Sequence, residues 1–568
     1  MSTFGDEFVN VREVLDARRG PGPAGSPREL PASLLRDLAL DLMGSGALRT
    51  VGGTLYFEPG VYVLRPDARM ATEPMVIPRM VAVRFAPGAL LVVDGAIPTS
   101  MDSTPGAPVP GLIPGVLDNL RDLLPAPRPR LRIEGPLLAS PGPVFGTLAT
   151  ERQRRANPVL REDAVGVIEV GESTDTLFPE WWGADSEADT EVNADAVQAC
   201  FDAAVGAALL RDPAREPTTV ECVGSYLLAW PVALRSRWTM APPTVTLRVR
   251  GRPGRALGDL PKTFRGASGT FGQALLDVAP SIALILEDVG FDGAGIAAHV
   301  VSVRGGPDGA RASFRMAQCG LGNTTGALLA LTADPTLDAR LGPGPRPSLV
   351  VEGCAFEGMN EEVSSLVHGA LPGAGVSLRG CTFNGVAAGL VRCLQGRTEL
   401  RGCAFQNRGV VALEDGVEAP CADVLLATTA AEPPPSLLGL ACQSRSPQLL
   451  RGVGGLSLEG MDVQLVASVH GNTSRAEAAT PDPPSVAWLT TSRQTLVLRA
   501  CSFLPSEGPP SPARGPRGGQ VLVGPGELRV FSVANRYAAP EGVVDPPGST
   551  SLRVRTLGDT THRERRPP

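Results

Sequence analysis

Two kinds of residue in this chain are equipped for chemistry: grouped carboxylates and regularly spaced guanidiniums. Glu287 adjoins Asp288, with Asp292 close behind, and Glu361 adjoins Glu362. Two carboxyl groups held in different surroundings titrate apart, so that one serves as acid and the other as base. These five residues are the candidate catalytic set, and Asp185 with Asp189 forms a further acidic pair. Each group also has a structural reading. Asp288 stands where sister segments place a glycine, which suits a turn. Asp185 and Asp189 precede an Ala-rich stretch and suit the support of a helix. Glu361 and Glu362 suit a solvated loop.

Arg379 and Arg401 are the candidate ligand-binding residues. They lie 22 residues apart at equivalent places of a repeat. Two guanidiniums brought close together repel, and each favours a planar anion. Glu352 is an internal partner for them, and an acidic polysaccharide is an external one. The ten Cys include no CxxC pair and the four His lack zinc spacing, so no metal or cofactor is expected. His299, His368, His470 and His562 stand in no catalytic motif.

The elements that position these residues come from an internal repeat. LILEDVGFDG begins at Leu284, LVVEGCAFEG at Leu349, VSLRGCTFNG at Val376, TELRGCAFQN at Thr398, LSLEGMDVQL at Leu456 and LVLRACSFLP at Leu496, with FRMAQCG from Phe314 as a weaker copy. Phe356 to Phe383 is 27 residues and Phe383 to Phe405 is 22, lengths that suit one solenoid coil of three short strands. Val351, Leu378 and Leu400 face inward. A corner follows at Gly353, Gly380, Gly402 and Gly460, where a left-handed backbone is easiest for glycine. Cys354, Cys381, Cys403 and Cys501 return to the interior, and so do Phe356, Phe383, Phe405 and Phe503. Coils about 4.8 Å apart would stack these into ladders. The outward residue before the corner is expected to form a charged column of Glu287, Arg315, Glu352, Arg379, Arg401, Glu459 and Arg499. Exposed pairs in such a column contribute under about 1 kcal/mol each.

The stretch Phe178 to Trp238 carries a different signal. FPEWWGA is followed by an Ala-rich helix, with Val197, Cys200, Phe201 and Ala204 at helical spacing and Asn193 as a candidate N-cap. A strand pair around Gly224 and Ser225 comes next. A helix ahead of many strands suits the blunt end of a solenoid, which must be covered. PEWWGA, the AVQACFDAA helix and GSYLL resemble the entry to the pectate-lyase-like right-handed β-helix superfamily, which includes phage tailspikes and many bacterial surface proteins. GGTLYFEPGVYVL, Gly52 to Leu64, resembles a segment common in the same family. The resemblance implies a right-handed parallel β-helix. It also implies polysaccharide chemistry by acidic residues that hold calcium with an Arg base, or by clustered Asp with a His. The paired Asp and Gly-His-Gly of the hydrolases are absent, and the acidic run before the helix is loosened to ADSEADTEVNAD. Trp181 and Trp182 can stack on sugar, but their family position implies packing of the cap.

Composition bounds the rest. The 568 residues include 66 Gly and 55 Pro, with only 4% aromatic residues, a balance suited to many turns. Net charge is −7 and a single lysine, Lys262, stands among many Arg, so nucleic acid is not an expected partner. The start lacks a basic segment followed by an apolar run, and no window holds 18 apolar residues. No signal peptide or membrane span is therefore expected, and the protein is either cytoplasmic or exported by a non-classical route. The Cys are expected to be reduced packing residues.

The expected fold is mainly β, a right-handed parallel β-helix with N-terminal capping helices. Residues 1–180 form an N-terminal half-module with a helix over Leu30 to Leu48 and a Pro/Gly-rich loop at 98–130. Residues 181–545 form the main solenoid, with long loops at 408–455 and 470–492, and 546–568 form a disordered polar tail. The leading functional expectation is a non-catalytic scaffold or binding protein presenting a long face to carbohydrate or a surface protein. The alternative is a pectate-lyase-like lyase or a glycoside hydrolase, with calcium under the lyase alternative alone. A fibre role has no heptads to support it.

Overall fold

The computed structural model describes most of residues 8–561, leaving out among others 44–51, 96–127, 148–164, 236–243, 252–261, 306–311, 334–347, 359–364, 465–486 and 505–520. The expected loop at 98–130 therefore lies almost wholly outside the described residues. The chain divides into two compact units. One comprises Met1–Leu227 with Val245–Leu247, and the other Leu228–Thr244 with Arg248–Pro568. The division falls well beyond the expected boundary at 180, because the helix after PEWWGA and the first strands behind it belong to the first unit. No helix among the described residues is long and apolar enough to cross a membrane.

The first unit is built from short parallel sheets. Thr54–Phe57 pairs with Ala82–Phe85, and Gly60–Arg65 pairs with Ala89–Val93, all in parallel. Three α-helices are described: α1 (Val11–Arg19), α2 (Ala32–Met43) and α3 (Thr190–Leu210). α2 is shorter than the pattern suggested, because Leu30 belongs to the strand Arg28–Pro31. α3 buries Val197, Cys200, Phe201 and Ala204, the stripe that helical spacing predicts. Asn193 lies inside its first turn rather than at its cap. Its Oδ1 accepts from the Asp185 N–H (2.9 Å) and its Nδ2 donates to Ala188 O (3.3 Å), so it holds the preceding loop. Glu180 joins the two halves of the PEWWGA and GSYLL signature. Its Oε1 accepts from the N–H groups of Val223 (3.2 Å) and Gly224 (2.9 Å) and from Tyr226 Oη (2.5 Å).

The second unit is mainly β, with long parallel sheets consistent with a β-helix or solenoid. Its strands visit three sheets in rotation: Ile282–Glu287, Gly290–Asp292 and His299–Gly305 each belong to a different sheet, and the next three strands repeat the cycle. The third of these sheets has 11 strands. One cycle is a coil, and coils pair in register. Phe356, Phe383 and Phe405 are successive partners, with ring centroids 4.8 and 4.9 Å apart and planes within 10° of parallel. The cycle continues through the region expected to be a long loop, with Ala422–Leu426, Ser436–Leu440, Gln443–Ser444 and Gln448–Gly452 each in its sheet. It also enters the expected tail, where Leu552–Leu557 and Thr560–Thr561 are strands.

Each corner needs one left-handed residue. Gly353, Gly380 and Gly402 have φ near 58°, and so do non-glycines: Asp288 (57°), Gln318 (54°), Ala441 (50°), Ala500 (50°) and Ala534 (54°). A side chain there costs about 1–2 kcal/mol, offset by a bond that only this conformation aims correctly. The corner N–H donates to the next coil, as in Gly353 N–H to Arg379 O (2.8 Å) and Asp288 N–H to Ala317 O (3.1 Å). Behind the corners the Cys stand buried and unlinked. The Cys381 thiol donates to Val351 O (3.5 Å) and the Cys403 thiol to Leu378 O (3.3 Å). The bond with Cys381, and then burial, pushes the Cys403 thiol up to about 12. Thiols held protonated in this way are poor nucleophiles and suit packing.

Phe383 is the middle of a fully buried column. Phe383→Ala should lower the unfolding free energy by about 3–5 kcal/mol, read as a shift of the urea midpoint, with part of the loss confined to the neighbouring coils.

Candidate functional site

Of the five catalytic candidates, the structure describes Glu287, Asp288 and Asp292, which occupy a strand end, a corner and a second sheet. Glu287 ends the strand Ile282–Glu287 and is ion-paired with Arg248 (3.6 Å) and Arg250 (3.5 Å). Asp288 is a corner residue, and burial followed by the charge of Glu287 raises its pKa. Asp292, 3% exposed, belongs to another sheet. Its Oδ1 accepts from Asn323 Nδ2 (2.9 Å) and Ala294 N–H (3.0 Å), and its Oδ2 lies 3.7 Å from Arg265 Nε. One oxygen holds a turn and the other faces an arginine of the strand Lys262–Gly266. Glu361 and Glu362 lie outside the described residues. Asp185 accepts from Ser186 and Glu187 just ahead of α3, so it supports the helix entry. Trp181 and Trp182, each 2% exposed, are packed rather than presented.

The charged column differs from its expected composition. The register runs Glu287, Ala317, Glu352, Arg379, Arg401, Leu440, Glu459, Arg499. Arg315 stands two residues earlier, in register with Ile285 and Val350. It still reaches Glu352 at 3.0 Å, and Arg379 reaches the same carboxylate at 3.4 Å and Ser377 Oγ at 3.0 Å. Arg379 and Arg401 are direct register partners, and Arg401 is ion-paired with Glu399. Both candidate ligand-binding arginines thus have carboxylate partners within the fold.

A third arginine is differently placed. On the third sheet Ala330, His368 and Arg392 are successive register partners, about 4.8 Å apart along the stack. His368 and Arg392 are half-buried. Arg392 Nε is buried and has no hydrogen-bond partner among the described residues. Burial first, then Arg392 and then His299, lowers the His368 pKa to about 4, so its ring is neutral at pH 7. His299 donates from Nδ1 to Ala327 O (3.0 Å), which leaves its Nε2 as an acceptor when neutral. At the start of the same sheet Arg304 is matched by Asp277 (2.5 Å). Arg392 has no ion pair among the described residues, and with His368 beside it this is a place able to receive an anion. Sequence reasoning set His368 aside for want of a catalytic motif and did not raise Arg392, because VHGA and LVRC share no pattern. Only coil counting brings them together.

No protein-family model matches the chain, and no curated protein sequence matches it. Among solved structures it is similar to ORF18 of Geobacillus virus E2, with 11% identity over 68% of this chain and 62% of that one and a TM-score of 0.38. It is also similar to DFA-IIIase from Arthrobacter chlorophenolicus A6 in complex with GF2 (12% identity, 94% and 96% of the two chains, TM-score 0.30). A third likeness is to the PL6 family alginate lyase AlyGC (9% identity, 98% and 100%, TM-score 0.20). The chain spans less than two thirds of the virus protein's length. Likenesses this distant carry no argument about what this chain does.

The His368 pKa generates a test. It falls from an ordinary 6.5 to about 4 on folding, so the folded chain binds this proton less readily than the unfolded one. Its contribution to stability is full above about pH 6.5 and is lost as the pH falls toward 4. His368→Gln should therefore show a shallower loss of stability than the parent between pH 6.5 and 4, measured by urea unfolding at stepped pH.

Proposed function

We propose that the second unit is a right-handed parallel β-helix whose third-sheet face binds an acidic carbohydrate, with Arg392 receiving a carboxylate. The observation that carries this reading is the buried Arg392 Nε, which has no partner among the described residues and stands in register beside a neutral His368. A guanidinium taken from water without an anion is costly, and a planar carboxylate is the group its donor fork fits best. His368 adds a neutral ring that can bond sugar hydroxyls. Ser302 lies in the same register line, with Ala330 between it and His368. A linear anionic polymer lying along the stack would pass both polar positions. Arg379 and Arg401 are a weaker version of the same idea, because Glu352 and Glu399 already engage them.

One observation favours the second reading, a polysaccharide-degrading enzyme. A neutral imidazole beside a carboxylate-binding arginine is able to take up a proton from a substrate that the arginine holds. Binding without turnover is the simpler reading, since Asp277, the acid in the same register line, is held by Arg304 and the neighbouring His299 ring is tied to Ala327 O. Calorimetric titration with a galacturonate oligomer and with an uncharged glucose oligomer tests the proposal. The acidic oligomer should bind, the neutral one should not, and Arg392→Ala should weaken binding by about 10–100-fold, the worth of a charge-assisted bond. Equal binding of both oligomers, or an unchanged affinity in Arg392→Ala, would contradict it. Release of shorter chains that His368→Ala abolishes would move the reading to the enzyme.

A further inference from the structure

The surroundings of His368 are one-sided in charge. His368 and Arg392 are register partners on adjacent coils, so their side chains start about 4.8 Å apart. Both are half-buried, and the Arg392 Nε is buried with no hydrogen-bond partner among the described residues. The two strands paired with Val367–Ala370 are Leu329–Ala333 and Gly389–Cys393, and neither carries a carboxylate. One strand further out in one direction lies His299–Gly305, whose His299 ring meets Ala327 O at 3.0 Å and whose Arg304 is paired with Asp277. In the other direction lies Ala422–Leu426, where Asp423 is buried and accepts from Ser444 Oγ. Among the described residues, the charges around the His368 ring are therefore Arg392 and His299, with the nearby carboxylates already engaged elsewhere.

We propose that this site takes up a proton together with its anion, so that the carboxylate is held between Arg392 and an imidazolium at His368 and binding tightens as the pH falls. This rests on the anion site proposed above. Its basis is reciprocity between proton and ligand. Burial first, then the charge of Arg392 and then that of His299, keeps the ring of the empty site neutral down to about pH 4. Two of these three causes are positive charges, which a bound carboxylate opposes. The carboxylate offsets the Arg392 guanidinium and attracts a proton to the ring directly. In the complex the ring pKa therefore rises toward its ordinary 6.5. A group whose pKa rises on binding makes binding stronger at low pH, by the same factor that binding favours the proton. Above about pH 6.5 the ring is neutral in both states and adds no pH dependence. Ordinary carboxylates titrate near about pH 4, so the ligand keeps its charge over most of this window. A neutral sugar has no charge with which to draw the proton.

Calorimetric titration of the full chain with a galacturonate oligomer at about pH 7.5 and about pH 5.5, each in two buffers of different ionisation heat, counts the protons exchanged. Affinity should rise by about 3–10-fold at the lower pH, the upper figure being the limit for a ring restored to its ordinary pKa. Uptake should be about half a proton or more per site at the lower pH and almost none at the higher. In His368→Gln both the rise and the uptake should vanish. The proton count on the parent needs no variant, and so it decides the matter even where a substitution unfolds the chain. Absence of binding at both pH values overturns the anion site and this inference with it. Binding of equal affinity at both, with no proton uptake, keeps the site and overturns this inference alone, as does a pH dependence that His368→Gln retains.

Discussion

Everything in the second unit depends on one constraint: each strand must lie in register on its counterpart one coil away. Parallel pairing fixes the spacing at about 4.8 Å, and a slip of one residue would turn every inward side chain outward. Like residues therefore stack on like. Phe356, Phe383 and Phe405 are parallel rings at nearly the strand spacing. The same rule brings Arg379 against Arg401, an arrangement no isolated sheet would choose, and flanking carboxylates offset it. The stack tolerates unfavourable neighbours because the register belongs to the whole coil rather than to any one pair.

The corners show how strongly the stack governs the chain. At the corners equivalent to Gly353, Gly380 and Gly402, five described non-glycine residues adopt the left-handed conformation that those glycines adopt without strain. Each gains an inter-coil bond from its corner N–H or from the strand it ends, so local cost is offset by the ladder. In the first unit a single carboxylate has a comparable organising role. Glu180 gathers two backbone N–H groups and the Tyr226 hydroxyl, which explains in physical terms why PEWWGA and GSYLL occur together.

The parts of the fold that repeat residue types were legible in the sequence. The Phe and Cys columns repeat because the stacked interior demands the same volume in each coil. Where the demand is only for a backbone angle or for burial, the signal faded. Gln318 occupies a corner without a glycine to mark it, and so Arg315 was aligned two places out of register. The coil through Ser436–Leu440 has Ala441 in place of the corner Gly and Ser444 in place of the Phe, so a stretch of regular strands resembled a loop and Leu440 was missed from the charged column. The pairing of His368 with Arg392 was illegible for a related reason. The outward positions of the third sheet share no residue type, and connections of unequal length separate its strands. Glu287, Asp288 and Asp292 are separated for a different reason: neighbours in sequence fall on different sheets or at a corner, and arginines engage Glu287 and Asp292 there.

The register of the stack is testable directly by cross-linking. Arg379 and Arg401 are exposed register partners on adjacent coils, and partners at that spacing lie within the Cα separation a disulfide spans. With Cys at both positions, mild oxidation followed by peptide mass analysis should yield one intramolecular disulfide between 379 and 401, while Cys at 379 and 397 should yield none. A link between 379 and 397, or no link between 379 and 401 in a folded protein, would contradict the coil-on-coil register on which the account rests.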